Sequence, residues 1–237
     1  MIEIYNKILY QPLLNAVIFL YNILPGADFG LAIIVLTVIM RLALSPLTIK
    51  TTLSQRAMNK INPQIKEIKS KYKNDTQAQS AAIMKLYKDN NVNPLAGCLP
   101  LLIQLPILIA LYSAFRNGFK EESLIMLYSF ISNPGHINAI SLGFIDVTVR
   151  SIPLALITGA LQFFQLKQNN ALMNKNTAGL DDSQKQMQAI NSQMLYFFPV
   201  MIIIIGWKMP AGLLLYWLTT TGYSLLEQMY IKKKYKE

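Results

Sequence analysis

Long apolar runs constrain this chain more than any other feature of its sequence. A helix needs about 20 apolar residues to cross the roughly 30 Å of hydrocarbon in a bilayer. Five runs come near that length, and they begin at Phe29, Leu95, Ser151, Met194 and Ala211. Charged residues form 14% of the chain, about half of their share in a soluble domain. The sequence therefore predicts an all-α integral membrane protein built as a five-span helical bundle.

Polar connections separate the predicted spans. In chain order we predict an amphipathic helix (1–25), the first span (29–48), a basic helical hairpin (49–93), the second span (95–116), a loop (117–150), the third span (151–166), a connection (167–193), the fourth span (194–207), the fifth span (211–230) and a basic tail (231–237). The first, second and fifth runs give the strongest signal, because the fourth is short and Pro153 interrupts the third.

The distribution of Lys and Arg predicts which way the bundle faces. Of the 22 basic residues, 16 lie in the stretches 50–88 and 167–185 and in the tail "KKKYKE". Five spans would bring these three stretches to one side of the membrane. Because short cytoplasmic segments are enriched in Lys and Arg, we predict that this side is the cytoplasm, with the N-terminus outside and the C-terminus inside.

The first 25 residues allow two interpretations. Residues 8–24 are apolar enough to form a short sixth span. Polar residues recur there at helical spacing, however, and would form one stripe along a helix: Glu3, Lys7, Gln11, Asn15 and Asn22. A helix with one polar stripe suits the surface of a membrane better than its interior. We favour an amphipathic helix that lies on the outer face.

The stretch 49–93 has the character of a helical hairpin. Asn62 can cap a helix that has Pro63 in its first turn, and Thr76 can cap a second helix that ends near Lys88. The hairpin could simply link two spans, but a link needs only a few residues. A basic docking surface for a partner is the interpretation that we favour.

Arg41 is a permanently charged residue inside the first predicted span. The spans contain almost no Asp or Glu to pair with it, and Glu227 lies at the end of the last one. Burying an unpaired guanidinium in hydrocarbon is costly, so Arg41 either reaches the inner headgroups or lies in a water-filled groove. Polar residues within the spans favour a groove: Thr37, Gln104, Thr158, Gln162, Thr219 and Thr220.

Enzymatic chemistry finds little support in the sequence. His136 is the only histidine and Cys98 the only cysteine, so neither a zinc site nor an internal disulfide can form from these residues. Phosphate-loop and dinucleotide motifs are absent. We predict that the protein is not an enzyme and needs no cofactor. An anion transporter or channel with Arg41 in its path is the main rival, although we see no inverted repeat of the kind that transporters carry.

Several motifs together resemble the YidC/Oxa/Alb family of membrane protein insertases. They are "RLALSPLTIKTTLSQRAM", "NPQIKEIKSKYKND", "NPLAGCLP" and "PAGLLLYW", and the resemblance extends over nearly the whole chain. It implies five core spans and a hydrophilic groove that is open to the cytoplasm and to lipid but closed outside. The arginine of that groove falls on Arg41. The other positions implied at or near the groove are Thr37, Gln104, Gln162, Tyr216 and Trp217.

The resemblance also implies a function and partners. An insertase of the bacterial plasma (inner) membrane moves nascent membrane proteins from the cytoplasm into the bilayer. The expected partners are those nascent chains, the ribosome and anionic lipids, with no role for DNA. The resemblance is compatible with a protein that works alone or beside the Sec translocon.

Overall fold

The computed structural model describes residues 2–93, 99–117, 124–173 and 182–235. Its helices are α1 (2–23, with a π-helical turn at Asn6–Tyr10), α2 (Phe29–Lys71), α3 (Thr76–Asp89), α4 (Leu99–Asn117), α5 (Ile152–Met173), α6 (Asp182–Gly206) and α7 (Ala211–Lys234). Strands β1 (Ile140–Ser141) and β2 (Ile145–Asp146) pair antiparallel. The start of the predicted second span, part of the 117–150 loop and part of the 167–193 connection lie outside the described residues.

Helix α2 joins the first predicted span and the first arm of the hairpin without a break. It has 43 residues, which corresponds to about 64 Å. The predicted helix start at Asn62 is therefore wrong, and Pro63 lies inside the helix. Proline removes one backbone hydrogen bond, but Ile61 and Ile65 on either side of it are both buried. Continuing the helix keeps both side chains on the same packed face, which offsets the missing bond.

Helices α2 and α3 form an antiparallel hairpin. Ile61, Ile65 and Val92 form a small apolar core, against which Ile83, Leu86 and other side chains pack. Asp75, and not Thr76 as predicted, caps α3, because its carboxylate accepts the N–H of Ala78 at 2.9 Å. Asp is a stronger cap than Thr, which explains why the helix begins at Thr76, one residue earlier than a Thr76 cap predicts.

The C-terminal part of the polar stripe on α1 packs against other segments of the protein. Asn15 is 2% exposed and donates to the carbonyl of Met126, while its own carbonyl accepts the N–H of Tyr128 at 2.7 Å. Asn22 donates to the carbonyl of Ser132 at 2.7 Å. Glu3 and Lys7 are exposed. Since a buried amide needs partners, the stripe fixes α1 to the segment 124–150, which we call the capping segment.

Asp28 ties the capping segment to the first turn of α2. Its carboxylate caps the helix through Leu31 N–H at 2.9 Å and also accepts from Ser141 Oγ and Leu142 N–H, each at 2.6 Å. Partial burial opposes ionisation, but these hydrogen bonds outweigh it and lower the pKa of Asp28 below its ordinary value. The neighbouring Gly30 has no side chain, and a Cβ there would overlap Ser141.

The capping segment also contacts the start of α7. Val149 O accepts the N–H of Ala211 at 2.8 Å, and Val147 O accepts the N–H of Gly212 at 2.9 Å. The segment therefore connects the last residues of α1, the first turn of α2 and the first turn of α7. It closes one end of the bundle.

Helix α7 lies at the centre of the packing. It packs against α2 on one side and α5 on the other, while α6 packs on α5 and α1 on α2. Residues 211–216 are all buried. Helix α4 packs mainly against α1 and contacts α2 and α7 over shorter stretches.

Apolar side chains also cover much of the outside of the bundle. The large exposed ones on α4, α5 and α6 include Leu102, Ile109, Leu156, Phe164, Phe197 and Ile204. Among the described helices, α2 alone is long and apolar enough to cross a membrane by those two criteria, and Leu102–Ala114 and Gln193–Gly206 are shorter apolar helices. The arrangement with five spans stays a prediction.

Candidate functional site

Arg41 lies on α2 about 18 Å from the first residue of that helix and is half-buried. Its Nη2 donates to Oε1 of Gln104 on α4 at 3.5 Å, a long hydrogen bond to a neutral group. Glu227 on α7 is the acidic group that attracts Arg41 electrostatically. The guanidinium has five N–H donors, so this contact leaves it with capacity to bind a carboxylate.

Gln104 links Arg41 to α7. While its Oε1 accepts from Arg41, its Nε2 donates to the phenol oxygen of Tyr216. Tyr216 is 3% exposed, so its position is set by packing. The three residues form what we call the arginine cluster, and they bring α2, α4 and α7 together at one level of the bundle.

A second polar cluster lies between α5 and α7, and we call it the tryptophan cluster. Gln162 Oε1 accepts from Trp217 Nε1 at 3.3 Å and from Thr221 Oγ1 at 3.2 Å. The other end of the amide donates to Gln165 Oε1 at 2.8 Å. Gln162 is 7% exposed, so this cluster satisfies a buried amide where two helices meet.

The Thr37 hydroxyl donates within its own helix and not to either cluster. That hydroxyl donates to the carbonyl of Ile33 at 2.6 Å within the same helix, and the side chain is 2% exposed. Thr158 and Thr219 make the same kind of bond, to Leu154 and Leu215. Threonines in apolar helices commonly bond to the preceding turn, so these three hydroxyls are already satisfied by their own helices.

A third polar group of residues has no counterpart among the predicted site residues. Glu227 Oε1 accepts from Ser45 Oγ at 2.6 Å and from Thr48 Oγ1 at 2.7 Å. A signal for it does exist in the sequence. Arg41, Ser45 and Thr48 follow at steps of four and three, which places them on one face of a helix.

Among the described residues, no three His, Cys, Asp or Glu side chains come together in a way that could hold a metal ion. The chemistry available at the arginine and tryptophan clusters is hydrogen bonding to anionic or neutral polar groups, next to aromatic and aliphatic surface. Such an arrangement can hold a polar group temporarily inside an apolar bundle.

Comparison with known proteins identifies the family. Residues 19–237 match the family model described as 60Kd inner membrane protein. The membrane protein insertase YidC of Fusobacterium nucleatum is 36% identical over 207 residues, which make up 87% of each chain. The YidC of Streptomyces avermitilis is 34% identical over 230 residues, and the match covers 87% of this chain but 52% of that protein.

A solved structure agrees with the sequence matches. It is the crystal structure of an active YidC insertase with its first transmembrane domain resolved, which is 28% identical and superposes with a TM-score of 0.56. The alignment covers 98% of this chain and 47% of that one. Since the family model and relatives more than 30% identical match most of its length, the chain belongs to the YidC family of membrane protein insertases of the bacterial inner membrane.

Proposed function

We propose that this protein moves nascent hydrophobic segments, together with their short polar tails, from the cytoplasm into the bilayer through a hydrophilic groove that contains Arg41. The observation that carries this proposal is the placement of Arg41. This half-buried guanidinium in an apolar helix is hydrogen-bonded to a neutral amide, and the carboxylate that attracts it, Glu227, bonds to other residues. Water or a visiting anion that reaches Arg41 would offset the remaining cost of its charge.

The proposal includes five spans: the first half of α2, then α4, α5, α6 and α7. Helices α4 to α7 have 19 to 25 residues, or about 28 to 37 Å, which suits the roughly 30 Å hydrocarbon core of a membrane. Their exposed apolar side chains support contact with lipid, since a soluble protein seldom exposes large apolar patches. The positive-inside rule then assigns the hairpin and the tail to the cytoplasm.

The groove in this proposal lies at the arginine cluster. Its outer end is closed by the capping segment, which bonds to α1, α2 and α7. Its inner end opens towards the α2–α3 hairpin. This geometry would admit a polar tail from the cytoplasm and stop it short of the outer surface until the hydrophobic segment follows.

Desolvation of the polar tail is the main barrier to insertion. A groove that holds water and a guanidinium part of the way across the membrane lowers that barrier. We propose that Arg41 holds acidic groups of the tail by charge-assisted hydrogen bonds, while Gln104 and Tyr216 fix its position. Tyr216 and Trp217 offer an aromatic wall beside which the hydrophobic segment leaves sideways, because lipid solvates it better than the groove does.

The cytoplasmic parts receive the chain in this scheme. The α2–α3 hairpin is basic and lies next to the groove entrance, which supports a role in docking the nascent chain or the ribosome. The tail after Tyr230 carries exposed Lys232, Lys233 and Lys234, which can bind ribosomal RNA or anionic lipid by charge. The proposed reaction consumes no nucleotide.

Insertion into reconstituted vesicles tests the proposal. The vesicles contain this protein and no Sec translocon, and the substrate is a single-span protein with a short N-terminal tail. We expect the tail to become protected from external protease in these vesicles and to stay accessible in protein-free vesicles of the same lipid. If neither preparation protects the tail while the first one passes anions at transport rates, the protein is a transporter and the proposal is wrong.

A further inference from the structure

Glu227 hydrogen-bonds to residues outside the arginine cluster, although its charge attracts Arg41. It lies near the C-terminal end of α7, is half-buried, and bonds to two hydroxyls of α2. Both bonds go to Oε1, from Ser45 Oγ at 2.6 Å and Thr48 Oγ1 at 2.7 Å. Neither partner carries a charge, so the carboxylate is oriented but not neutralised by them. Neither of these two bonds uses Oε2.

In the proposed topology the Glu227 carboxylate lies on the cytoplasmic side of Arg41. Ser45 and Thr48 follow Arg41 on the same face of α2, at about 6 Å and 10 Å along the helix axis. In the proposed topology this is the direction of the cytoplasm. A substrate that enters the groove therefore passes a fixed negative charge first and a fixed positive charge deeper in.

These two charges match the two ends of an inserting segment. The tail that crosses the membrane goes deepest and meets Arg41. The flank that stays in the cytoplasm is enriched in Lys and Arg, and it arrives last, at the level of Glu227. A carboxylate binds an ammonium or guanidinium group by charge-assisted hydrogen bonds, whereas Arg41 repels the same group.

We propose that Glu227 is a binding site for the basic side chain that flanks the hydrophobic segment of a substrate on its cytoplasmic side. Holding that side chain at the groove entrance keeps the flank from following the segment inwards and so sets the orientation of the inserted helix. This inference rests on the proposed function, and it assigns to Glu227 the recognition of a basic flank, which Arg41 does not provide.

A comparison of two proteins and two substrates tests the inference. The proteins are the wild type and Glu227→Gln, whose side-chain oxygen can still accept from Ser45 and Thr48. Both substrates carry a neutral tail, so that Arg41 is not engaged, and their cytoplasmic flanks contain either two lysines or two glutamines. Insertion rates into vesicles are measured by protease protection.

We expect Glu227→Gln to insert the lysine-flanked substrate about fivefold more slowly than the wild type, as for the loss of one partly exposed charge pair, and to insert the glutamine-flanked substrate at the wild-type rate. Equal slowing of both substrates would identify Glu227 as a clamp between α2 and α7 and overturn the inference. Unchanged rates for both would overturn it as well. Failure of the wild type on both substrates would instead count against the proposed function.

A second variant separates the effect of the Glu227 charge from the effect of its hydrogen bonds to α2. Ser45→Ala combined with Thr48→Val removes both hydroxyl donors and keeps the carboxylate. We expect this variant to retain a faster rate for the lysine flank than Glu227→Gln shows. If it slows both substrates by the same factor as Glu227→Gln does, the two hydroxyl bonds explain the whole role of Glu227 and the inference is wrong.

Discussion

Tyr216 and Trp217 are neighbours in the chain, yet they bond to different helices. The Tyr216 phenol accepts from Gln104 on α4, and Trp217 Nε1 donates to Gln162 on α5 at 3.3 Å. Successive residues of a helix point about 100° apart, so the two clusters lie on adjacent faces of α7. The resemblance implied a single groove for all of these residues, whereas the hydrogen bonds divide them between an arginine cluster and a tryptophan cluster.

The tryptophan cluster gives a spectroscopic prediction. In a Trp207→Phe background Trp217 is the only tryptophan, and Gln162→Leu removes the acceptor of its indole N–H. We expect a shift of its emission to shorter wavelength, because its surroundings become less polar. The free energy of unfolding should fall by about 1–3 kcal/mol, because Leu leaves the Trp217 and Thr221 donors without their acceptor. Both are measured in detergent.

Gln165→Leu is the matched control for that experiment. It removes the hydrogen bond between the two amides but leaves the bonds of Trp217 and Thr221 to Gln162 Oε1 in place. The emission of Trp217 should stay close to that of the parent protein. An unchanged emission in Gln162→Leu would show that the indole has no bond to this amide.

Two helix glycines predict opposite effects of the same substitution. A Cβ at Gly159 would overlap Ile203 and lie 3.1 Å from the carbonyl of Pro199, whereas at Gly222 the nearest atom would be 4.0 Å away. We expect Gly159→Ala to destabilise the α5–α6 pair by about 1 kcal/mol or more through overpacking. Gly222→Ala should be neutral or stabilise by up to about 1 kcal/mol through helix propensity.

Thermal unfolding in detergent checks this pair, with the two variants purified in parallel. The expected order of midpoints is Gly222→Ala at or above the wild type, and Gly159→Ala below it. Equal midpoints for the two variants would mean that α5 and α6 do not approach each other as closely as the structure shows.

Asp28 predicts a pH dependence of the capping segment. Its pKa is lowered below the ordinary value near 3.8, so its carboxylate stabilises the fold fully above that pH, and the contribution is lost as the pH falls through the lower pKa of the folded state. We expect protease cleavage within 124–150 to accelerate below about pH 3.8 in the wild type. An acid-stable protease serves as the probe.

Asp28→Asn should remove most of this pH dependence and be cleaved faster at neutral pH. Ser141→Ala, which deletes one of the bonds to the carboxylate, should lie between the wild type and Asp28→Asn. A wild-type cleavage rate that does not change between pH 6 and pH 3 would contradict a stabilising role for the Asp28 carboxylate.

Some features follow from local patterns and others do not. The helical hairpin could be anticipated because the stripe with Ile61 and Ile65 repeats at helical spacing. The continuity of α2 through Pro63 could not, since an Asn-Pro pair reads locally as a helix start and the burial of both isoleucines depends on α3. The contact of Asn15 with Met126 joins residues 111 positions apart, and nothing near either residue indicates it.

The same distinction holds for the candidate site. Arg41 stands out in the sequence because burying a charge in an apolar span costs free energy. In the sequence Glu227 is only a residue at the end of the last apolar run, because its partners Ser45 and Thr48 lie about 180 positions earlier. Family resemblance supplied Tyr216 and Trp217, but which helix each one bonds to depends on how α4 and α5 pack around α7.

Insertion by Arg41 variants is the measurement that tests the central claim most directly. Wild type, Arg41→Ala, Arg41→Lys and the control Lys50→Ala are reconstituted into vesicles, and each is given a substrate with an acidic tail and one with a neutral tail. We expect Arg41→Ala to insert the acidic tail at least about tenfold more slowly, as for the loss of a hydrogen bond to a charged group, and the neutral tail nearly normally.

Arg41→Lys should be intermediate because it keeps the charge but loses the bidentate hydrogen-bonding geometry of the guanidinium, and Lys50→Ala should match the wild type. Equal slowing of both tails by Arg41→Ala would contradict the claim that Arg41 binds the acidic tail.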